Sequence, residues 1–506
     1  MKSFPYLSVL TLAPLVGAVV VGLLPRSRPA LAKRVALGWS LAVLALSIVM
    51  WVAFDAGGSR FQFRESYPWI PAWGVNFTFA ADGIALVMLV LTAVLVPIVI
   101  LASWHDAEGG RRSVPAYFAL LLALESTLFG VFAAADVFLF YVFFEVMLVP
   151  MYFLIGSYGT GQRQYAAVKF FLYSLVGGLF MLAAVIGLWV LGGHTFDWQA
   201  LTQADLSTNA ARWLFLGFFV AFAVKAPFFP FHTWLPDAGG SAPAGAAALL
   251  VGVLDKVGTF GILRYCLPLF PEASRYFAPF ALTLAVVGII YAALLAVGQN
   301  DLKRLVSYTS IAHFGFIGVG IFAFTTQAGT GAVLYMLNHG LATGLLFLVV
   351  GMLVARRGSA LISDFGGAGK LVPVLAGVFL LAGMASLALP GLAPFVSEFL
   401  VLIGTFTVNK TVAVISTLGI ILAAAYVLWM IQRTTQGNLN PALSGVDGMR
   451  RDLTRREAVV VAPLIALLLV LGFYPKPVID VINPAVTATL QQDVGAQDPT
   501  PTEAAR

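Results

Sequence analysis

Charge is what this chain has least of. Of its 506 residues only 10% are Asp, Glu, Lys or Arg, while 60% are hydrophobic; a soluble domain carries about 25% charged residues. A water-facing surface cannot be built from that composition, so the chain reads as an integral membrane protein made almost wholly of spans. Cysteine is nearly absent. Cys266 stands alone, which excludes a disulfide framework, a Cys-rich zinc site and a Cys-ligated iron–sulfur cluster. There is no Gly-rich phosphate loop and no dinucleotide fingerprint. No metal, cofactor or redox centre is therefore expected in this chain. The net charge of +6 does not point to nucleic acid, because the positive residues fall mainly in loops on one side.

What is present is long apolar runs. Windows of about 20 apolar residues centre near residues 14, 43, 92, 124, 146, 178, 220, 252, 288, 313, 341, 388, 423 and 465, predicting an all-α polytopic protein with about fourteen transmembrane helices. The odd-numbered loops between them hold most of the 29 Lys and Arg, including Arg26, Arg28, Lys33, Arg34, Arg111, Arg112, Lys303, Arg304, Arg356, Arg357, Arg450 and Arg451. The positive-inside rule then places both termini on the outer face. Phe4 to Leu24 is expected to remain as the first span, since its positive charges follow it instead of preceding it. Between spans two and three, RFQFRESYPWIPAWGVNFTF alternates and is aromatic; it reads as a short β-hairpin outside the bilayer. The polar stretch after Asn483 reads as a frayed tail.

Two spans are interrupted. Lys225-Ala226-Pro227-Phe228-Phe229-Pro230 breaks the seventh, and Leu389-Pro390-Gly391-Leu392-Ala393-Pro394-Phe395 the twelfth. Each of Pro227, Pro230, Pro390 and Pro394 removes a donor and frees a carbonyl four residues earlier. Such backbone survives at membrane depth only inside protein or along a hydrated cavity. Ala-Pro-Phe recurs in both breaks, at 226–228 and 393–395, and the same offset relates spans four to eight with nine to thirteen. An odd number of helices per unit turns the second unit upside down, and inverted repeats with matching broken helices are a transporter architecture. The expected organisation is three leading helices with the hairpin (1–110), a first five-helix unit (111–268), its inverted counterpart (275–436), and a cytoplasmic loop, last span and polar tail (437–506).

Ionisable groups lie where lipid forbids them: Glu145, Lys225, Lys256, His313, His339 and Glu398 all fall within apolar runs. Each costs about 2.5–3.5 kcal/mol or more on insertion scales, so such groups face the protein interior and mark ion or proton paths. Lys225 at a helix break suits a switchable proton carrier, the bland reading being a static ion pair with Glu145. Lys256 follows Asp255, but neighbours on a helix point about 100° apart, which leaves Lys256 free for a relay or for snorkelling. His313 and His339 suit proton shuttling or a plain hydrogen bond between helices. Glu398 lies one turn past Pro394, as a last proton stop or as a cap of the second half-helix. Glu125 is a further buried carboxyl, Asp136 a cap for span five, and His232 and Asp237 flank the first break.

The runs KAPFFPFHTWLPDA, SAPAGAAALLVGVLDKVGTFGILR and FYVFFEVMLVPMYFLIG, with Trp69-Ile70-Pro71 and Asp82-Gly83-Ile84 upstream, resemble the antiporter-like proton-pumping subunits of respiratory NADH:quinone oxidoreductase (complex I). Most of the chain is covered. Glu398, where sister subunits more often carry lysine, makes it most similar to the chain 4 type (subunit M); no lateral helix is expected. The resemblance implies a fourteen-helix core, a Glu145–Lys225 pair, a relay through Lys256, His313 and His339, and an outlet at Glu398. It implies no redox centre here. NADH, FMN, iron–sulfur clusters and quinone would belong to partner subunits, and neighbouring antiporter-like subunits of the membrane arm would be the partners. The Ala/Gly/Arg-rich composition suits a bacterial inner membrane. Two departures touch the central relay: Gly239 stands where histidine is usual, and Asp255 where an apolar residue is. Competing readings are a subunit of a sodium/proton antiporter or of a membrane-bound hydrogenase. A lipid-linked transferase would need a large polar loop that the chain lacks.

Overall fold

In lipid a backbone must satisfy its own hydrogen bonds, so apolar runs of this length become helices. The computed structural model describes residues 4–108 and 112–500; Arg111 and the expected boundary at 110/111 lie outside them. Helix α1 is Tyr6–Gly22 and α2 Pro29–Ala53. Strands β1 (Gln62–Ile70) and β2 (Val75–Ala81) then pair antiparallel, turning through Gly74 at φ 69°. There follow α3 (Gly83–Ala102), α4 (Val114–Ala133), α5 (Val137–Tyr158), α6 (Arg163–Leu191), α7 (Thr208–Lys225), the short α8 (Leu235–Ser241) and α9 (Ala244–Leu269). The second half holds α10 (Pro271–Val297), α11 (Leu302–Phe322), α12 (Thr326–Arg357), α13 (Pro373–Ser386), α14 (Ala393–Phe406), α15 (Lys410–Thr435), α16 (Arg455–Phe473) and α17 (Lys476–Thr487).

Among the described residues eleven helices are long and apolar enough to cross a membrane. The other three expected positions are held by α1, by α7 with α8, and by α13 with α14. The expected fold class is thus what folds, hairpin included. Burial sorts the helices into centre and rim. The most apolar windows of α9, α11 and α12 are 100%, 94% and 89% buried, while those of α2 and α16 are 28% and 33% buried. The rim helices turn a bare apolar face to lipid, and the three central ones carry Lys256, His313 and His339.

One expectation is corrected. The stretch after Asn483 is not frayed over residues 484–493: α17 continues in π-helical turns from Ala488 to Asp493. It buries Val478, Ile482, Val486, Leu490 and Val494 against the bundle. These apolar residues form one stripe of an amphipathic helix, and a polar opposite face together with Pro484 hides the stripe in the sequence.

The bundle end that carries the hairpin is tied by ions. Glu65 accepts from Leu7 N (2.8 Å) and Ser8 N (3.2 Å), satisfying donors of the first turn of α1. Asp136 caps α5 as expected, accepting from Phe138 N and Leu139 N at 3.0 Å, and it also accepts from Asn76 N. Burial pushes its carboxyl up to about 6 in spite of those three donors. Arg60 pairs with Asp493 at 2.8 Å and so fastens the C-terminal helix to the hairpin loop.

The deepest tie at this end is Arg264 on Asp82, at 2.5 Å, with both side chains 5% exposed or less. The guanidinium lies among the rings of Phe61, Phe260 and Trp198. Removing one partner of a buried pair costs about 3–5 kcal/mol, whereas replacing both can be neutral. Asp82→Asn is therefore expected to lower the thermal stability and yield of the detergent-extracted protein, and Asp82→Asn with Arg264→Met to recover most of the loss. Thermal unfolding of the two variants side by side checks this; equal stability would mean that the pair does not hold this end.

Candidate functional site

Helix α7 ends at Lys225 because Pro227 cannot continue it. The carbonyls freed by the break are met locally: Ala223 O accepts from Phe228 N at 2.9 Å, and Val224 O from the Trp234 indole at 2.9 Å. A lysine at a helix C-terminus sits at the negative end of the helix dipole. Lys225 is fully buried. Its ammonium donates to Ser174 Oγ at 3.2 Å and lies 5.1 Å and 5.4 Å from the ring centroids of Phe144 and Phe170.

Glu145, near the middle of α5, is half-buried and is not in ion-pair contact with Lys225. Its carboxylate rests on the bare backbone of Gly178: a Cβ there would fall 1.7 Å from Oε1. Ser174 and Gly178 are one turn apart on α6. The same face of that helix thus holds both charged groups, close enough to feel each other's charge but not touching. A static ion pair, the bland reading, is not what this structure contains.

Lys256 sits in α9 between two π-helical stretches, Leu250–Leu254 and Ile262–Cys266. Widened turns of this kind expose carbonyls and often mark functional positions. Here the ammonium donates to Val251 O, five residues back, and lies 2.7 Å from His339 Nδ1 on α12. The contact depends on two glycines. Gly252 and Gly340 meet backbone to backbone, and a Cβ at Gly340 would lie 2.6 Å from Gly252 O. That close approach, typical of small residues between membrane helices, brings Lys256 under His339. As the helical angle predicts, Asp255 does not bond Lys256: both its oxygens are buried without a hydrogen-bond partner among the described residues.

The line continues on α11 and α12. The His339 and His313 rings are 5.2 Å apart between centroids, and His313 and Tyr335 5.9 Å. Tyr335 donates to Glu398 Oε2 at 3.2 Å. Asn338, between Tyr335 and His339 in sequence, donates to Ala393 O at 2.8 Å and to Ser397 Oγ at 3.3 Å. It staples the start of α14 to α12 and thereby sets Glu398 under Tyr335. Glu398 is 5% exposed and makes no cap for α14, so the capping alternative does not hold.

The structure thus brings Lys256, His339, His313 and Glu398 into one buried row, with Glu145 on α5 and Lys225 on α7 set apart from it against α6. Glu125 lies apart, on α4, fully buried with neither oxygen hydrogen-bonded among the described residues. His232 stacks on Phe229 at 5.8 Å, outside the row. Asp237 on α8 ties three helices by accepting from Lys169 at 2.7 Å and Arg304 at 2.5 Å. At Gly239, where the resemblance leads to histidine, Ser307 and Phe347 occupy the space a side chain would need. Sequence reasoning missed Ser174, Tyr335, Asn338 and the Asp82–Arg264 pair. Arg264 was the visible signal among them, a charge within an apolar run; the others are ordinary residues in helices. No group of three or more metal-ligating side chains occurs among the described residues.

The seat of Glu145 gives a direct test. Gly178→Ala is expected to lift the carboxylate off α6 while the protein still folds, because the three atoms nearest the added methyl group all belong to the flexible Glu145 side chain. Labelling of Glu145 by a hydrophobic carbodiimide, mapped by peptide mass, should then rise several-fold. Unchanged labelling would show that Glu145 does not rest on that glycine.

Residues 134–423 match the family described as NADH:quinone oxidoreductase/Mrp antiporter, TM. NADH-quinone oxidoreductase subunit M of Mycobacterium tuberculosis (strain ATCC 25618 / H37Rv) is 50% identical over 543 residues, covering 100% of this chain and 97% of that protein. Among solved structures, a chain of respiratory complex I from Thermus thermophilus with bound NADH matches with a TM-score of 0.87 at 32% identity, covering 97% of this chain and 100% of that one. A chain of the Mrp complex from Dietzia sp. DQ12-45-1b matches with a TM-score of 0.83 at 21% identity, covering 97% and 99%, a likeness of fold. Full-length identity of this order, on a shared helix plan, leaves one assignment: the chain belongs to the NADH:quinone oxidoreductase/Mrp antiporter family, in its subunit M branch.

Proposed function

We propose that this chain carries protons across the bilayer as a membrane-arm subunit of a respiratory NADH:quinone oxidoreductase, with Glu145, Lys225, Lys256, His313, His339 and Glu398 as the carrying groups. The observation that supports it best is the buried row from Lys256 through the two histidines to Glu398, fixed on the three most enclosed helices and the second broken one. A row of exchangeable groups in a dry interior costs folding energy, and that cost has a use if protons pass along it.

Lys225 and Glu145 form the loading end. Held apart by Ser174 and Gly178, they are in their separated state. Moving the carboxylate to about 4 Å would stabilise the ammonium by roughly 4 kcal/mol at an effective dielectric of 20. Separation withdraws that support and releases the proton towards Lys256. Glu398, on the second break, is the unloading end. Carrying a charge against the membrane potential takes about 2.3 kcal/mol per 100 mV, and quinone reduction in partner subunits supplies it. NADH, FMN, iron–sulfur clusters and quinone are assigned to those partners, with neighbouring antiporter-like subunits on either side in the arm. In this reading the two units 111–268 and 275–436 are inverted copies meeting at the row, in a bacterial inner membrane with both termini periplasmic.

Lys225→Ala in inside-out vesicles tests the assignment, with assembly checked on activity-stained native gels. NADH-driven quinone reduction and proton uptake should fall together by about tenfold or more in an assembled complex. If both stay intact while sodium-driven proton movement is lost, the chain works as a sodium/proton antiporter subunit.

A further inference from the structure

Within the row of Lys256, His339, His313 and Glu398, the last step is not bridged by any of the four. His313 and Glu398 stand on different helices, α11 and α14, with no hydrogen bond between them. The group that lies between is Tyr335 on α12, 1% exposed. Its hydroxyl donates to Glu398 Oε2 at 3.2 Å, and its ring faces His313 at 5.9 Å and His339 at 6.4 Å between centroids. On the histidine side two nitrogens remain free to exchange a proton: His313 Nδ1 and His339 Nε2 are buried without a hydrogen-bond partner among the described residues. We propose that Tyr335 is a seventh relay group, passing protons from the histidine pair to Glu398; the proposal rests on the relay reading above.

A phenol suits the position because its oxygen both donates and accepts. The hydroxyl gives its proton to the Glu398 carboxylate as the same oxygen takes one from the imidazolium side. One O–H bond breaks and another forms, and the phenol ends neutral. Turning the hydroxyl back towards Glu398 resets it. Phe316 and the histidine rings pack round the aromatic body, so the ring keeps its place whether or not the oxygen is there. Tyr426 is the natural comparator. It is also buried on the Glu398 side, but its hydroxyl has no hydrogen-bond partner among the described residues and it faces no histidine.

The test uses the assembled complex in inside-out vesicles with four variants: Tyr335→Phe, Tyr426→Phe, Glu398→Gln and Tyr335→His. NADH-driven proton uptake, quinone reduction and their solvent deuterium isotope effects are read together. Tyr335→Phe should slow proton uptake by about tenfold or more and raise the isotope effect. Tyr426→Phe should do neither, and Tyr335→His, which restores an exchangeable proton, should recover part of the rate. A purely structural role would lower assembly without moving the isotope effect. If Glu398→Gln stops pumping and Tyr335→Phe does not, the proposal falls and the relay reading stands. If Glu398→Gln pumps normally, the relay through Glu398 fails and the proposal with it. Should Tyr335→Phe not assemble, Tyr335→His against Tyr335→Gln decides, equal pumping by the two overturning the proposal.

Discussion

An ion inside a membrane protein must be wrapped by protein, and most of this architecture follows from that need. Three central helices give up almost all outward-facing surface, and Lys256, His313 and His339 are enclosed by them. Enclosure demands close helix contact, and close contact demands small residues where helices cross. The Gly252–Gly340 contact is the sharpest instance. It draws α9 and α12 together at the level where one carries a lysine and the other a histidine. Larger residues there would push the helices apart and leave the fully buried lysine without its acceptor. The charged group and the glycine a turn away are one device.

The two helix breaks answer the same constraint differently. In the first, the chain repairs itself: backbone N–H groups and the Trp234 indole take up the carbonyls of α7, leaving Lys225 at the negative end of the helix. In the second, repair comes from another helix. Asn338 reaches from α12 to the start of α14, so the position of Glu398 depends on the helix that also carries Tyr335 and His339. The second break is therefore mechanically joined to the row, while the first is joined to α6 through Ser174 and Gly178.

How much of this can be read from the sequence follows from what each feature depends on. A charge in an apolar run, a proline pair, or an alternating aromatic stretch is local, and the six ionisable groups within spans, both breaks, the hairpin and the Asp136 cap are legible for that reason. Contacts between helices depend on rotation and crossing, which a hydropathy pattern does not carry. Hence Ser174, Tyr335 and Asn338 look like ordinary helix residues until α6, α12 and α14 are placed. The π-helical turns round Lys256 have no sequence mark. The C-terminal helix was hidden for another reason: its apolar stripe is narrow and a proline stands on the other face, so averaged hydropathy reads it as polar although one face is buried.

Spacing along the row says where movement is needed. From Lys256 to His339 and from Tyr335 to Glu398 the groups are already within hydrogen-bond range, and small turns of side chains suffice for exchange. Glu145 and Lys225 are not in contact, and each is anchored to α6 one turn from the other. Helix α6 belongs to the rim, with only 39% of its apolar window buried, and a rim helix slides at less cost than a central one because it breaks fewer packed contacts. Sliding of α6 relative to α5 and α7 would take Ser174 and Gly178 out of register with Lys225 and Glu145, and so remove what holds the two charges apart. Packing is thus tight round Lys256, His313 and His339 and looser round α6, so the spacing of Glu145 and Lys225 is the softer of the two arrangements.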